Sequence, residues 1–217
     1  MMLFHGYFRS SAAYRCRIAF NLKGVSTDFV SVHLWRGGGE QKSEAYQALN
    51  PQALVPALET DDGLVLTQSM AIIEWLDETH PEPAFLPEQA GERALVRGFA
   101  QAIACDIHPL QNLRVLDYLK GELGHDQAAA DAWCRRWIGD GLAACERLLE
   151  RGGANGRFAF GDTPGLADIC LIPQMFSADR FGVDLAAMPR LRAVREACKA
   201  LPAFADAHPA RQPDSEA

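Results

Sequence analysis

Residues 7–24, YFRSSAAYRCRIAFNLKG, decide how the chain begins. The short apolar run LFHGY at 3–7 leads into them and reads as a β-strand. The stretch itself predicts a helix over 11–23. Ile18, Ala19 and Leu22 share one face, Arg15 and Arg17 lie off it, and Gly24 stops the helix. Ser10 and Ser11 stand at the helix mouth. Serine is a preferred N-cap, and a helix N-terminus is electropositive. The pair therefore suits either a plain cap or a bound anion or thiolate, and the residues alone leave both readings open.

Working outward, TDFVSVHL at 27–34 alternates like a second strand, and VPALET (55–60) and LVLT (64–67) flank Asp62-Gly63, a tight-hairpin signal. QSMAIIEWLDETH at 68–80 reads as a helix that ends before Pro81. The order β-α-β-(short helix)-β-β-α is mixed α/β, with a crossover helix between the first two strands. From Glu88 onward strand signals vanish. A helical pattern runs over 92–120, interrupted at Pro109, and further helices are expected over 126–150, 166–179 and 189–200. The proline-rich stretch THPEPAFLPEQAG reads as a domain junction. The expected layout is an α/β domain over 1–82, a linker over 83–87, an all-α domain over 88–210 and a loose polar tail over 211–217.

Composition narrows the class. With 217 residues, 48% hydrophobic and 23% charged, the chain is long enough for one or two ordinary globular domains. A net charge of −7 argues against nucleic-acid partners and anionic membrane surfaces. No apolar run reaches spanning length, and MMLFHGYFRS lacks a cleavable leader pattern. Cysteines 16, 105, 134, 145, 170 and 198 form no CxxC pair and no cluster with histidine. They are expected to be reduced core thiols of a cytoplasmic protein, and no metal site is expected.

The segment FRSSAAYRCRIAFNLKG resembles, without a gap, the zeta-class glutathione transferase signature S-S-C-x-W-R-V-R-I-A-L. YQALNPQALVPAL, QSMAIIEWLDE, HPLQNLRVLDYL, GDTPGLADICLIPQ, RFGVDL and HPARQPD follow in family order and at family spacing. The resemblance covers nearly the whole chain. It extends to a family that includes maleylacetoacetate isomerases and bacterial maleylpyruvate isomerases. It implies a thioredoxin-like N-terminal domain that binds glutathione, an all-α C-terminal domain that completes the pocket, and a homodimer.

The resemblance also assigns residues. Ser10 becomes the leading catalytic hydroxyl, donating to a glutathione thiolate, and Ser11 a cap or supporting group. The family cysteine is replaced here by Ala12, and Cys16 aligns with a signature valine one turn onward, so glutathione's own sulfur must be the nucleophile. Val55, before an expected cis-Pro56, would pair with the glutathione cysteinyl unit. Gln68 and Ser69 would receive the γ-glutamyl carboxylate, with Ser69 also expected to cap its helix. Arg15, Gln41, His108, Asn112 and Arg114 are further implied glutathione contacts. Gln41 follows the RGGGE loop, which has no Gly-Lys-Ser/Thr and reads as a mobile lid rather than a phosphate loop. Many zeta members carry glutamine at the position of His108, which argues against an essential base there. Arg9 and Arg180 are expected to clamp the carboxylates of a dianionic diketo acid, since guanidinium binds carboxylate as a fork. Asp168 is expected to fold the chain. It would complete half of a capping box whose other half, usually Ser or Thr, is Gly165 here, at a cost of only a few tenths of a kcal/mol.

The implied activity is glutathione-dependent cis–trans isomerisation of a maleyl diketo acid. Its rivals are general glutathione conjugation, a non-catalytic glutathione-binding module and, against the missing cysteine, a disulfide reductase.

Overall fold

The computed structural model describes residues 1–152 and 156–216. The chain forms two compact units, Met1–Ala84 with Leu201–Ala217 and Phe85–Ala200.

In the first unit β1 (Leu3–Gly6), α1 (Ser11–Lys23), β2 (Asp28–Ser31), α2 (Glu44–Leu49), β3 (Ala57–Glu59), β4 (Val65–Thr67) and α3 (Ser69–Thr79) follow in order. The sheet order is β2-β1-β3-β4. β2 runs parallel to β1, whereas β3 runs antiparallel to β1 and β4. A parallel neighbour requires a crossover, and α1 supplies it. α1 packs against α3. Lys23, at the end of α1, ties the two together by donating to Asp77 Oδ1 and to the Pro83 carbonyl, both at 2.7 Å. Phe4, Ile18, Leu58, Ile72, Ile73 and Leu76 are buried beneath, each worth about 1.5–3 kcal/mol of apolar burial.

α1 departs from the amphipathic reading. Every residue from Ser11 to Phe20 is buried, Arg15 and Arg17 included. Two elements cause it: α3 packs on α1, and α9 (Pro202–Asp206) of the C-terminal segment returns to pack on it as well. Residues 201–210 thus belong with the α/β unit rather than with the helical one, which corrects the expected boundary at 210. The tail is not loose either. Pro209–Arg211 forms a 3₁₀ turn, and Asp214 and Glu216 bond back to the first unit; Ala217 lies outside the described residues.

The second unit contains α4 (Ala90–Gln101), α5 (Leu113–Gly121), α6 (Gln127–Arg151), α7 (Leu166–Arg180) and α8 (Pro189–Lys199). α7 is buried nearly all round and packs against α4, α6 and α8, so its apolar residues follow no single stripe. The interruption expected at Pro109 begins earlier. Ala102–Ile107 widens into a π turn, and His108–Gln111 tightens into a 3₁₀ turn. Pro109 has no N–H to donate and its ring crowds the carbonyl four residues back, so hydrogen bonding before it shifts register. That turn also exposes Cys105, against the expectation of a core thiol, while the other five cysteines are buried. Burial pushes the Cys134 thiol up to about 11, the Cys145 thiol up to about 12, and Cys198 higher still, which keeps them protonated.

Asp168 acts as expected. Its Oδ2 accepts the Gly165 N–H at 2.9 Å, and its Oδ1 accepts the Ala159 N–H at 2.9 Å. The glycine opposite has a different cause from a tolerated missing cap. A Cβ at Gly165 would stand 2.7 Å from the Phe85 carbonyl oxygen, which accepts the Leu166 N–H at 3.0 Å. Close backbone approach excludes a side chain there. No helix among the described residues is long and apolar enough to cross a membrane, and no cluster of three or more His, Cys, Asp or Glu among them could hold a metal ion.

Candidate active site

In the first unit the site is built on the mouth of α1. Ser10 has extended backbone, φ −66° and ψ 118°, and its Oγ accepts the Ala13 N–H at 3.2 Å. Ser10 is thus the N-cap, and Ser11 is the first helical residue, buried at 8% exposure, which corrects the expectation of Ser11 as the cap. A capping hydroxyl uses a lone pair, so its O–H remains able to donate to an anion in front of the helix.

Arg9 precedes it and is already anchored. Its Nη2 donates to the Tyr7 hydroxyl at 3.3 Å, and the guanidinium lies 5.1 Å from the Phe8 ring centroid and 5.9 Å from that of Tyr7. Two buried rings thereby hold a half-exposed cation beside Ser10. Ala12, at the family cysteine's position, is buried within α1.

The second helix mouth belongs to α3. Gln68 is the N-cap residue, at φ 70°, and makes no capping bond through its side chain. Ser69 is the first helical residue, so the expected Ser69 cap is corrected by one position. A non-glycine residue at positive φ costs on the order of 1–3 kcal/mol and concentrates at ligand-binding positions. The exposed Gln68 side chain donates to Gln52 Oε1 at 2.6 Å. Arg15, 1% exposed, donates from Nη1 to Ser69 Oγ at 3.2 Å. Its place is behind Ser69, orienting that hydroxyl, rather than on the open surface. The Val55–Pro56 bond is cis, and Val55 is half-buried just before β3.

Gln41 is 4% exposed. Its Nε2 donates to the Leu34 carbonyl at 3.5 Å, and its Oε1 is buried with no hydrogen-bond partner among the described residues. The loop before it is ordered rather than a free lid. Arg36–Gly38 and Glu40–Lys42 are 3₁₀ turns, Gly37, Gly38 and Gly39 all lie at positive φ, and Glu40 Oε2 accepts the His33 N–H at 2.7 Å.

These features fit a thiol tripeptide. Two helix N-termini offer anion sites, one with the Ser10 hydroxyl for a thiolate and one with the Ser69 hydroxyl for a carboxylate. The orphaned Gln41 acceptor suits an N–H of the same ligand, since a buried unpaired acceptor costs about 1–3 kcal/mol.

The second unit carries the remaining candidates. His108 opens the 3₁₀ turn before α5. Asn112 caps α5, its Oδ1 accepting the Arg114 N–H at 3.1 Å, and Arg114 is exposed. Capping and ligand contact are compatible for Asn112, because its amide N–H₂ is not used by the cap. Arg180 ends α7, exposed, 5.0 Å from the Phe181 ring centroid. Two groups escaped sequence reasoning: Arg17, placed only off the apolar face of its helix, and Asp214, read as part of a loose tail. The only signal for the second was the HPARQPD motif.

Comparison with known proteins supports this assignment. The family descriptions "Glutathione S-transferase, N-terminal domain" and "Glutathione S-transferase, C-terminal domain" match residues 9–79 and 113–200. The chain is 51% identical to a maleylpyruvate isomerase of a Ralstonia species, over 99% of this chain and 100% of that protein. It is 49% identical to a maleylacetoacetate isomerase of Pseudomonas aeruginosa, over the full length of both. Among solved structures, a maleylacetoacetate isomerase from Anaeromyxobacter dehalogenans with glutathione bound in its active site superposes with a TM-score of 0.88 at 44% identity, covering 100% of this chain and 98% of that one. The same enzyme with bound dicarboxyethyl glutathione and citrate gives a TM-score of 0.86 at 42% identity, with the same coverage. The chain belongs to the glutathione S-transferase family, within its zeta class of maleylacetoacetate and maleylpyruvate isomerases.

Proposed function

We propose that this chain is a glutathione-dependent isomerase converting a maleyl diketo acid, maleylacetoacetate or maleylpyruvate, to its fumaryl isomer in aromatic catabolism. The observation that carries the reading is the pairing of Arg9 with Ser10 at the mouth of α1, a preplaced cation next to a capping hydroxyl. The chemistry bound glutathione supplies is reversible addition of a thiolate to an activated double bond, which frees that bond to rotate.

The chain's own residues do the rest. The Ser10 O–H donates to the sulfur, and α1 directs its positive end at the same point, so the anion is favoured over the thiol. Each unit by which the thiol pKa falls corresponds to about 1.4 kcal/mol. Ser69, oriented by Arg15, and Gln68 hold the γ-glutamyl end, and the Val55 backbone and Gln41 hold the middle of the tripeptide. Ser11 supports the helix mouth from within α1, and His108, Asn112 and Arg114 are further contacts. Arg9 and Arg180 bind the substrate carboxylates and stabilise negative charge that develops on the keto group. The protein acts as a homodimer in the cytoplasm.

General glutathione conjugation is the alternative. It needs the thiolate but no carboxylate clamp. Arg9→Ala and Arg180→Ala should each lower isomerase kcat/KM by about 10- to 100-fold, the worth of a charged hydrogen bond. Conjugation of chlorodinitrobenzene should stay within about twofold of the unmutated enzyme, because that substrate carries no carboxylate. No loss in either reaction would favour the general transferase, and equal loss in both would show that the arginines serve the thiolate or the fold rather than a carboxylate.

A further inference from the structure

The loop that presents Arg9 and Ser10 is held from the far end of the chain. Phe8 donates its backbone N–H to Asp214 Oδ2 at 3.0 Å, and its carbonyl accepts from Arg17 Nη2 at 2.9 Å. Both polar groups of one peptide residue are thus bound by charged side chains of opposite sign. The same Asp214 oxygen accepts from the Ser31 hydroxyl at 3.2 Å, at the end of β2. Arg17 Nε also donates to the Ala207 carbonyl at 3.0 Å, so Arg17 joins the loop to the returning segment. The next turn is closed by Ser10 N–H donating to the Tyr7 carbonyl at 3.0 Å.

Electrostatics point the same way. Burial pushes the Arg17 guanidinium down to about 10, with the Tyr14 and Asp214 charges opposing the fall. Arg17 therefore stays cationic at neutral pH. Arg17 Nη1 and Asp214 Oδ1 are both buried without a hydrogen-bond partner among the described residues. The tail reaches a second edge of the site as well. His33 Nδ1 accepts the Trp35 and Arg36 N–H groups at 3.2 and 2.8 Å, which leaves Nε2 to donate to Glu216 Oε1 at 2.8 Å. His33 also anchors Glu40, next to Gln41.

We propose that Asp214 is a positioning residue for the active site, holding the Phe8 peptide against Arg17 so that Arg9 and Ser10 meet substrate and thiolate in register. This deepens the isomerase reading and rests on it for the parts played by Arg9 and Ser10. A buried peptide offers few alternatives: without Asp214 the Phe8 N–H has no acceptor, and the loop must shift to find one.

The test compares Asp214→Ala with Asp214→Asn, well below their unfolding temperatures. Asp214→Ala should raise the substrate KM for isomerisation by about tenfold, since small misplacements of binding groups cost that much or more. Glutathione affinity by calorimetry should move less than about twofold, because the Ser69 end of the site is untouched. The pH profile for conjugation of chlorodinitrobenzene should shift upward by about half a unit or more as Ser10 moves off the thiolate. Asp214→Asn should recover most of both, because an amide oxygen can accept the same two hydrogen bonds. A lowered Tm with KM and pH profile unchanged would mean a purely structural tail and would overturn the proposal. If the unmutated enzyme conjugates but does not isomerise, the isomerase reading fails alone, and the pH profile still decides the part played by Asp214. Should Asp214→Ala not fold, hydrogen exchange decides in the native protein: a protected Phe8 amide supports the clamp, and one exchanging like an open loop overturns it.

Discussion

Ser10 concentrates two tasks in one hydroxyl. As the cap of α1 it accepts the Ala13 N–H, and in the proposed mechanism its O–H donates to the thiolate. Ser10→Ala should therefore remove about 1 kcal/mol of stability through the lost cap. It should also lower conjugation of chlorodinitrobenzene by about 10²-fold, the usual scale for one preorganised donor to a reacting anion. Ser11→Ala should do much less to the rate, because Ser11 lies inside the first turn. Pre-steady-state rates for both variants across pH check this, and a larger loss in Ser11→Ala would reverse the assignment. Adjacency placed Arg9 beside Ser10 without any structure. The one-residue choices between Ser10 and Ser11, and between Gln68 and Ser69, were not legible, because all depend on which backbone turns helical first. Asp214 was hidden for another reason: its partners Phe8 and Ser31 lie 206 and 183 residues away.

At the scale of elements, periodicity and stop signals were enough for α1, which spans 11–23 as the spacing requires, and for α3, α6, α7 and α8 within one or two residues. They were less informative around Pro109, where the proline disturbs the turns before it. Gly165 belongs to the same class of hidden cause. By capping statistics alone Gly165→Ser would help α7, yet the Phe85 carbonyl stands where its Cβ would go. Gly165→Ala and Gly165→Ser are each expected to destabilise by about 1–3 kcal/mol, the range for overpacking. Urea denaturation measures it, and a gain in stability would show that the backbone can yield there.

Asp168, three residues after Gly165 in the first turn of α7, gives a pH signature. Burial pushes its carboxyl up to about 6, from an ordinary 3.8, against the hydrogen bonds from backbone N–H groups and the Cys198 thiol that favour its anion. The folded protein therefore holds this proton over a range where the unfolded chain has released it. The contribution to stability is full below about pH 4, falls as pH rises to about 6, and is flat above. The stability gap between the unmutated enzyme and Asp168→Asn should narrow over that window and then stay constant. A gap independent of pH would place the ionisation of Asp168 elsewhere.

For the whole molecule, the division into an α/β and a helical region follows from where strand signals stop, near Glu88. The return of residues 201–217 does not, because a short segment with three prolines carries no mark of where it docks. That return is also why α1 buries Arg17, which serves the Ala207 and Phe8 carbonyls, whereas Arg15 is buried against α3, where it serves Ser69. Chemistry and architecture thus meet at one helix mouth, with the chain's two ends supplying it. The residues alone never named the ligand; the resemblance did. The most direct test is isomerisation of maleylpyruvate and maleylacetoacetate by the unmutated enzyme, with and without glutathione, while total glutathione is followed. Rapid fumaryl product only when glutathione is present, with the glutathione recovered unchanged, is the expected result. Stoichiometric consumption of glutathione, or isomerisation without it, would contradict a recycled thiolate held by Ser10.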